Sequence, residues 1–397
     1  MEIKVLYLTS DDVNSNLGKS QIIYPLYQLG HIAQFHIIYL KSLLILSYKV
    51  SSPERKTCRN LDFHEISPPS FLFPKSIIVR YLWMFLSSLT FILRKRPDII
   101  HARSFPSALI ACILGGITGT PYIYDNRGFW IQQRCLSRQF RPRQNYLYIF
   151  LYHLDLIAIR RAYRVVSLTP RASQLVRVAS GADAEAGLPR FVTIPTFVEP
   201  ADLGRQVTRK LVNPEIRLGY VGSIGTVYDF AAVCRLVSIL NDFIKVRLLV
   251  YNDLQQAEIS KVASTILPTE QWELKTIEYE RRLECYQHFD ALISLFVGGA
   301  WVRGSCPTRL VEALSLGCPI VTNVGFMPEL IGLHTKGTIY YLPQNYTTTH
   351  LTQICRLLKD IKSKDDRKSL TFDSIARLEN LYKRIFLDFM GLSQTIR

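Results

Sequence analysis

Acidic residues are scarce in this sequence. Its 397 residues include 32 Asp and Glu against 48 Lys and Arg, which gives a formal net charge of +16 at pH 7. Such an excess of positive charge predicts an anionic partner, and a phosphate-bearing substrate, a membrane surface and nucleic acid all qualify. The net charge alone does not choose among the three. The sequence has no recognisable nucleic-acid-binding motif, so we expect no nucleic-acid partner.

Paired cysteines are also missing. The eight cysteines are far apart, form no C-x-x-C pair and have no histidine at the spacing of a zinc site. This pattern indicates reduced thiols in a cytosolic protein. We therefore expect neither a metal ion nor another cofactor.

A secretory signal and a long uninterrupted apolar run are absent as well. Met1 opens directly onto a strand-like segment, so we expect the mature chain to begin there. The most apolar window, residues 76–93, is interrupted by Arg80 and followed by three basic residues at 94–96. This window is marginal for a membrane span of ~20 apolar residues. It is predicted to be a helix that packs against the core or lies on a membrane, and core packing is favoured because a strand follows it directly.

The composition is otherwise that of a globular protein. Hydrophobic residues make up 48% of the chain and charged residues 20%, and the length suits two domains. Strand-like and helix-like segments alternate up to residue 195 and alternate again from residue 216. The intervening stretch is polar and poor in strand signals. We therefore predict an α/β fold with the interdomain connection near residues 195–214.

A loop, a short helix and a strand are predicted within residues 303–323. Ser305 is a helix-capping residue type, Pro307 suits the first turn, and Gly317 stops the helix. The apolar residues that follow, beginning at Ile320, form a buried strand.

The N-terminal end of this helix is a predicted diphosphate site. A helix N-terminus offers unpaired N–H groups and a positive dipole end, and Arg303 and Arg309 add two cations. Glu312, on the same helix, suits the vicinal hydroxyls of a ribose. An ordinary buried helix before a core strand would explain the apolar spacing equally well. It would leave the two arginines and Glu312 without a role.

A glycine loop follows the predicted strand at residues 216–221. Gly222, Ser223 and Gly225 lie in this loop, where glycines let backbone N–H groups reach a phosphate. The same pattern also fits a simple tight turn.

Polar residues follow three predicted strands of the first half. His101 and Arg103 end one strand, and Asp125 and Arg127 end the next; ligands of open parallel sheets bind at such carboxyl ends. Gly18, in the first strand-to-helix loop, would let a ligand approach the backbone. For His101, a structural histidine with satisfied hydrogen bonds is an equally good interpretation.

The segment after these strand ends is basic. Its four arginines are interleaved with no acid, which predicts a mobile surface arm that is either simply solvated or attracted to an anionic membrane. They are Arg134, Arg138, Arg141 and Arg143.

At these residues the sequence resembles the retaining glycosyltransferases of family 4. The family motif S-P-T-K-x-x-E-x-L-x-x-G-x-P-V-I is similar to residues 305–320, with Cys306 inserted and Arg309 in place of lysine. A subgroup of the family also has H-A-R-S, D-x-R-G-F-W and G-Y-V-G-S motifs, which stand at residues 101–104, 125–130 and 219–223. Gly304 replaces a glutamate that many members have. Ser223 and Tyr228 stand in the loop where other members place an arginine and a lysine.

The resemblance implies the GT-B fold, with two doubly wound Rossmann-like domains facing across a cleft. It places the acceptor-side domain at residues 1–198, the nucleotide-sugar domain at 199–372, and a helix that crosses back to the first domain at 373–397. The reaction it implies retains the anomeric configuration, and the leaving diphosphate itself takes the acceptor proton.

Site roles are carried over by position. The resemblance implies catalytic roles for His101, Asp125 and Arg127, and an acceptor-side location for Gly18 and Arg103. It implies donor binding by nine residues: Gly222, Ser223, Gly225, Arg303, Ser305, Pro307, Thr308, Arg309 and Glu312.

The predicted function is therefore transfer of a sugar from a nucleotide-sugar to a lipid-linked or glycan acceptor, in cell-surface polysaccharide or glycolipid synthesis. We expect a cytoplasmic enzyme, peripheral on the inner face of an anionic membrane. A nucleotide-sugar 2-epimerase of the same fold and a non-catalytic GT-B scaffold partner remain the alternatives.

Overall fold

The computed structural model divides into two compact units. Unit 1 comprises Met1–Ile131, Pro142–Pro195 and Ser374–Arg397, and unit 2 comprises Gln132–Arg141 and Thr196–Asp373. The structure describes residues 3–13, 18–40, 61–66, 76–132, 145–181, 190–196, 215–225, 227–252, 255–276, 279–297, 304–323, 339–343, 345–363 and 385–386.

Unit 1 is built on a seven-stranded parallel sheet. In space its strands follow the order β3-β2-β1-β4-β5-β6-β7. The residues of the five inner strands are almost all buried, as expected for a parallel sheet covered by helices. The strands are β1 Ile3–Thr9, β2 Ala33–Leu40, β3 Leu61–Ile66, β4 Ile99–Arg103, β5 Tyr122–Asn126, β6 Arg164–Ser167 and β7 Phe191–Thr193.

The helices of unit 1 cover both faces of this sheet. Crossovers between parallel strands are right-handed, so the helices that lead towards β7 lie on one face and α1, which leads back to β2, lies on the other. The bounds are α1 Tyr24–Leu29, preceded by a π-helical turn at Lys19–Ile23, then α2 Ile77–Lys95, α3 Ser104–Thr118, α4 Asn145–Arg161 and α5 Pro170–Ser180. Helices α2, α3, α4 and α5 contact one another in that order.

Unit 2 repeats the plan with a six-stranded parallel sheet. The strand order is β10-β9-β8-β11-β12-β13. The strands are β8 Ile216–Val221, β9 Val246–Tyr251, β10 Trp272–Lys275, β11 Ala291–Ser294, β12 Ile320–Thr322 and β13 Ile339–Tyr341. The helices are α6 Phe230–Leu240, α7 Gln256–Ile266, α8 Thr308–Ser315 and α9 Thr348–Ser363, with 3-10 segments at Thr269–Gln271 and Tyr279–His288. The predicted α/β class with two Rossmann-like units is confirmed.

One glycine of unit 2 is explained by packing. A Cβ on Gly219 would lie 2.2 Å from the ring of Phe289, a distance at which atoms collide. The first glycine of the G-Y-V-G-S motif therefore lets the 3-10 segment ending at His288 approach β8.

Some local features go beyond the expectations. Residues 76–93 form α2, which packs against the core through Met84 and Ile92 as predicted, but only these two residues and Ser88 are buried. Helices α5 and α7 were not predicted.

Some sequence predictions lie outside the described residues. They concern residues 133–144 of the arginine-rich arm and most of the helix expected within 373–397. Of that last helix Ile385 and Phe386 are described, and both are buried; the Phe386 ring lies 6.1 Å from that of Phe35 on β2, within unit 1.

Candidate functional site

The carboxyl ends of β1, β4 and β5 bring a polar cluster together in unit 1. The register pairs Tyr7 with His101 and Arg103 with Asp125, so the polar ends of neighbouring strands lie side by side. His101, Arg103 and Asp125 are all at most 4% exposed. The structure therefore brings the predicted strand ends together in one group.

Asp125 is the centre of this cluster. Its Oδ2 accepts a hydrogen bond of 2.9 Å from Arg127 Nε. The same oxygen lies 3.5 Å from His101 Nε2 and 3.8 Å from Arg103 Nη1. Burial by itself raises the pKa of Asp125, but the charges of Arg127 and Arg103 and the contact with His101 outweigh it and hold the pKa well below 3.8. Asp125 is therefore a carboxylate at neutral pH.

The other carboxylate oxygen of Asp125, Oδ1, is buried and has no hydrogen-bond partner among the residues that the structure describes. A buried acceptor without a donor costs about 1–3 kcal/mol. A hydroxyl group of a substrate would satisfy this oxygen.

His101 is neutral in this environment. Burial lowers its pKa from 6.5, and the opposing effect of Asp125 does not restore it. Its ring centre lies 4.8 Å from that of Tyr7, whose own pKa is raised by burial. His101 can therefore act at neutral pH as an uncharged hydrogen-bonding group and not as a cation.

Arg103 ties the cluster to the first loop. Its Nε donates to Asp11 Oδ2 at 2.9 Å, and its Nη1 lies 3.4 Å from the Gln21 carbonyl oxygen. The next residue, Ser104, has a φ of +68°, a conformation that non-glycine residues rarely adopt. Such strain costs on the order of 1–3 kcal/mol and is concentrated at functional sites.

Gly18 also lies at this edge, but here the glycine is required by packing against the chain's own backbone. A Cβ on Gly18 would come within 2.2 Å of the Asp12 carbonyl oxygen and 2.6 Å of Val13 Cα. The glycine allows the loop after β1 to fold closely over the start of the first helix. The space that it leaves is filled by this backbone.

In unit 2 the predicted glycine loop follows β8 directly. Gly222 and Gly225 have φ values of +91° and +112°, which favour glycine. Asn252 Nδ2 donates to the Gly222 carbonyl oxygen at 2.9 Å, and Gln255 Oε1 accepts from Ile224 N at 2.9 Å. The loop is thus fixed by side chains that follow β9.

Arg309 lies against this loop. Its Nη2 donates to the Ser223 carbonyl oxygen at 3.1 Å, and a Cβ on Gly222 would be 3.1 Å from the same nitrogen. The guanidinium carbon lies 3.8 Å from the centre of the Tyr228 ring and 5.0 Å from that of Tyr220. Two aromatic rings and a carbonyl oxygen therefore hold the charge in place.

The second terminal nitrogen of Arg309, Nη1, is buried and has no hydrogen-bond partner within the described part of the chain. Burial alone would lower the pKa of Arg309, but Tyr220 and Tyr228 hold it above its usual value, so the side chain stays cationic. A buried, fixed cation with a free N–H group is suited to a phosphate oxygen.

Glu312 is held one turn further along α8. Its Oε1 accepts from Arg282 Nε at 3.1 Å and its Oε2 accepts from the Tyr286 hydroxyl at 3.0 Å. Each carboxylate oxygen has two lone pairs, so both can accept a further hydrogen bond. Glu312 is 6% exposed, which limits that bond to a group that enters the site.

The start of α8 differs from the expectation. The helix begins at Thr308 with Pro307 at the N-cap position and no side-chain cap, so Ser305 does not cap it. The loop before the helix is held by a hydrogen bond of 2.9 Å from Thr196 Oγ1 to the Cys306 carbonyl oxygen. Gly317 has a φ of +66° directly after the helix and confirms the predicted stop. Arg303 lies outside the described residues.

Several residues of these two sites were not predicted. Sequence reasoning missed Tyr7 and Asp11 in unit 1 and the supporting group Tyr220, Asn252, Gln255, Arg282 and Tyr286 in unit 2. Asp11, Asn252 and Gln255 follow strands β1 and β9, and this position was the only signal available for them. Within the described residues no group of three or more His, Cys, Asp or Glu side chains is placed to hold a metal ion.

These two parallel α/β units define a class: the chain has the GT-B fold of two Rossmann-like domains. Residues 61–189 match the model of the glycosyl transferase 4-like domain. The comparison with curated proteins gave no match.

Three solved structures illustrate the shared fold. A sucrose-phosphate synthase from Thermosynechococcus elongatus is 13% identical, with a TM-score of 0.63 over 99% of this chain and 98% of that one. The Anabaena protein HepE in complex with UDP and glucose is 13% identical, with a TM-score of 0.59 over 99% and 98%. A glycosyltransferase from Rickettsia africae is 13% identical, with a TM-score of 0.60 over the whole of both chains. Residues 61–189 are thus similar to the glycosyl transferase 4-like domain, and the solved structures share the fold.

Proposed function

We propose that the chain is a retaining glycosyltransferase that moves a sugar from a nucleotide-sugar donor to a lipid-linked or glycan acceptor. The product would be a cell-surface polysaccharide or glycolipid, made in the cytoplasm at the inner face of the membrane. The domain match at residues 61–189 and the GT-B fold support glycosyl transfer. The observation that carries the donor site is the unpaired Nη1 of Arg309 beside the glycine loop.

In this proposal unit 2 binds the donor diphosphate. Arg309 Nη1 donates to a phosphate oxygen, and the loop at Gly222 and the first turn of α8 supply backbone N–H groups. Arg303 adds a second cation. Glu312 accepts hydrogen bonds from the ribose. That a similar fold, HepE, has been solved with UDP and with UDP-glucose supports a nucleotide-sugar as the donor class.

The same groups serve the chemistry. In a front-face displacement the bond from the sugar to the diphosphate breaks as the acceptor oxygen attacks from the same side, and the leaving diphosphate takes the acceptor proton. The protein needs no separate base; it must stabilise the negative charge that develops on the leaving group. Arg309 and the N–H groups at α8 are fixed in advance, which is what makes such stabilisation effective.

Unit 1 contributes the acceptor side. Asp125 Oδ1, buried and without a partner among the described residues, accepts a hydrogen bond from a sugar or acceptor hydroxyl. Neutral His101 and the cation Arg127 orient that carboxylate through Oδ2. We propose Asp125, His101 and Arg127 as the catalytic group, with Arg103 as its link to the loop after β1.

Incubation with a panel of nucleotide-sugars tests the proposal. We expect one donor to raise the melting temperature and to release its nucleoside diphosphate slowly in water and faster with an acceptor extract. Release with conversion of the sugar to its 2-epimer would instead show the epimerase. Absence of stabilisation and of turnover with every donor would leave a scaffold and would contradict the proposal.

A further inference from the structure

Helix α2 presents an apolar side to solvent. By length and composition it is the one helix among the described residues that could cross a membrane. It is, however, the crossover between β3 and β4 and packs on the sheet through Met84, Ser88 and Ile92. Its opposite side carries exposed apolar residues at helical spacing, with Ile78 75% exposed and Leu82 56%. A helix integrated in a sheet domain in this way lies along a surface and does not span it.

The neighbouring helices extend this side. Helix α3 contacts α2 and exposes Ile113 and Ile117 near its C-terminal end. Helix α4 contacts α3 and exposes a stripe that includes Phe150 and Ile157. The three helices lie on the same face of the sheet, as the right-handed crossovers require. We call the exposed apolar surface of α2, α3 and α4 the three-helix face. Soluble monomers rarely expose an apolar surface of this kind without a partner.

The charged residues around the three-helix face indicate what kind of partner covers it. Acidic residues are scarce in this part of the chain. Between Glu65 and Asp155 the sequence contains two acidic residues, Asp98 and Asp125. Asp98 accepts a hydrogen bond from Lys4 N, and Asp125 is buried in the polar cluster. Asp155, the one acid within the three helices, accepts a hydrogen bond from the Tyr124 hydroxyl.

Cations mark one end of the three-helix face. Arg94, Lys95 and Arg96 are exposed at the C-terminal end of α2, and Arg161 is exposed at that of α4. Both ends point to the same edge of the sheet, because both helices run against their strands. An apolar surface bordered by these cations, which outnumber the exposed Asp98 beside them, complements an anionic lipid surface, with apolar side chains among the acyl chains and cations at the headgroups.

We infer that the three-helix face of unit 1 docks the protein in the interface of an anionic membrane. The apolar side chains supply most of the binding and the cations add to it at low ionic strength. This surface is distinct from the arginine-rich arm. The inference does not depend on the proposed function, since it concerns attachment and not turnover.

Vesicle sedimentation tests the inference. The full chain is mixed with vesicles of phosphatidylcholine alone, or of equal parts phosphatidylcholine and phosphatidylglycerol, at low and high salt. The apolar variant carries Leu82→Gln, Leu86→Gln, Ile117→Gln and Phe150→Gln, all at exposed positions. We expect it to lose on the order of 100-fold in partitioning at both salt concentrations. The control variant carries Tyr27→Gln and Phe243→Gln, exposed apolar residues outside the three-helix face, and should partition like wild type.

Further measurements distinguish membrane docking by the three-helix face from dimerisation and from binding by the arginine-rich arm. A variant with Arg94, Lys95, Arg96 and Arg161 changed to Gln should lose affinity for anionic vesicles at low salt and match wild type at high salt. Unchanged partitioning of the apolar variant overturns the inference. It is also overturned if wild type binds no vesicles and forms a dimer that the apolar variant abolishes, because a second copy then covers the face. A last variant changes only Arg134, Arg138, Arg141 and Arg143 to Gln. If this variant loses all vesicle binding while the apolar variant still binds like wild type, the arm is the membrane contact and the inference is overturned.

Discussion

The guanidinium of Arg309 lies over the face of Tyr228, 3.8 Å from the ring centre. Tyr220 approaches it as well, at 5.0 Å, and the Ser223 carbonyl oxygen accepts one of its N–H groups. A cation held in this way is weakly hydrated and has little conformational freedom left to lose when it binds a phosphate. If Arg309 binds the donor diphosphate as proposed, Tyr228 supports that binding by holding the guanidinium in place.

Tyr228→Ala should weaken binding of the donor nucleotide. Removal of the ring frees Arg309, and a partly desolvated cation–π contact contributes about 1–2 kcal/mol, which corresponds to roughly 5- to 30-fold in affinity. Tyr228→Phe keeps the ring and should stay within about twofold of wild type. Calorimetry with the nucleoside diphosphate of the accepted donor measures both. Equal affinity of the Ala variant and wild type would show that the aromatic contact is only structural.

Substitutions of Arg309 itself should lower the transfer activity, slightly for Lys and strongly for Gln. Lysine keeps the charge and should retain most of the activity, although it loses the planar stacking on Tyr228. Glutamine loses the charge beside the diphosphate, and its kcat/KM should fall by about 100-fold or more, as when one preorganised donor is removed. Steady-state rates with saturating acceptor give the comparison. A Gln variant as fast as wild type would remove Arg309 from the donor site.

Glu312→Ala should affect both nucleotide binding and stability. The ribose loses a charged acceptor worth ~1.5–3 kcal/mol, and Arg282 loses its ion-pair partner in a poorly exposed position. Glu312→Gln keeps an acceptor oxygen and separates the two effects, because it should bind nucleotide weakly while melting closer to wild type. Calorimetry and thermal denaturation are run on both variants. An unchanged nucleotide affinity in the Ala variant would exclude Glu312 as the ribose ligand.

His101→Ala should slow transfer without affecting the donor. The residue contacts Asp125 in unit 1, whereas the proposed donor groups belong to unit 2. We expect kcat to fall by about 100-fold, with an unchanged dissociation constant for the nucleotide. His36→Ala is the matched control, since His36 is also a poorly exposed strand histidine with a pKa lowered by burial. If the two variants lose stability and activity to the same extent, His101 is a structural histidine.

Asp155 should make the protein less stable as the pH rises. Burial raises the pKa of Asp155 from 3.8 to about 6, against the lowering effect of the Tyr124 hydrogen bond. The folded state therefore keeps a proton that the unfolded state has released, and the free energy of unfolding falls between about pH 4 and pH 6. Asp155→Asn keeps an acceptor for Tyr124 and should gain ~1–3 kcal/mol at about pH 7.5 and almost nothing at about pH 4. Denaturant unfolding at both pH values measures this, and an equal effect at both would contradict the shifted pKa.

The sheets were predictable because their strands are continuous apolar runs bounded by turn residues. Helix α5 could have been found as well: Thr169 Oγ1 accepts from Ala172 N and Pro170 occupies the first turn, a capping signal present in the sequence. The exposure of α2 could not, because periodicity shows that one side of a helix is apolar and not which side the sheet covers.

In the candidate sites, too, the sequence predicted local features and not the contacts between distant segments. Strand ends predicted the grouping of His101 with Asp125, since adjacent parallel strands end at one edge. The contact of Arg309 with Ser223 spans 86 positions of sequence, and nothing in either segment specifies it. Tertiary packing alone places Tyr228 and Tyr220 around the guanidinium.

The polar cluster of unit 1 is balanced in charge. Arg103 and Arg127 face Asp11 and Asp125, and His101 is neutral. In unit 2 the partners described for Arg309 are two rings and a carbonyl oxygen, whereas Glu312 is paired with Arg282, so one positive charge is left uncompensated. Under the proposed function, a diphosphate would be attracted to unit 2 over a distance, whereas an uncharged hydroxyl would lose nothing by entering unit 1. The two proposed substrates would then be separated by long-range electrostatics before a specific hydrogen bond to either has formed.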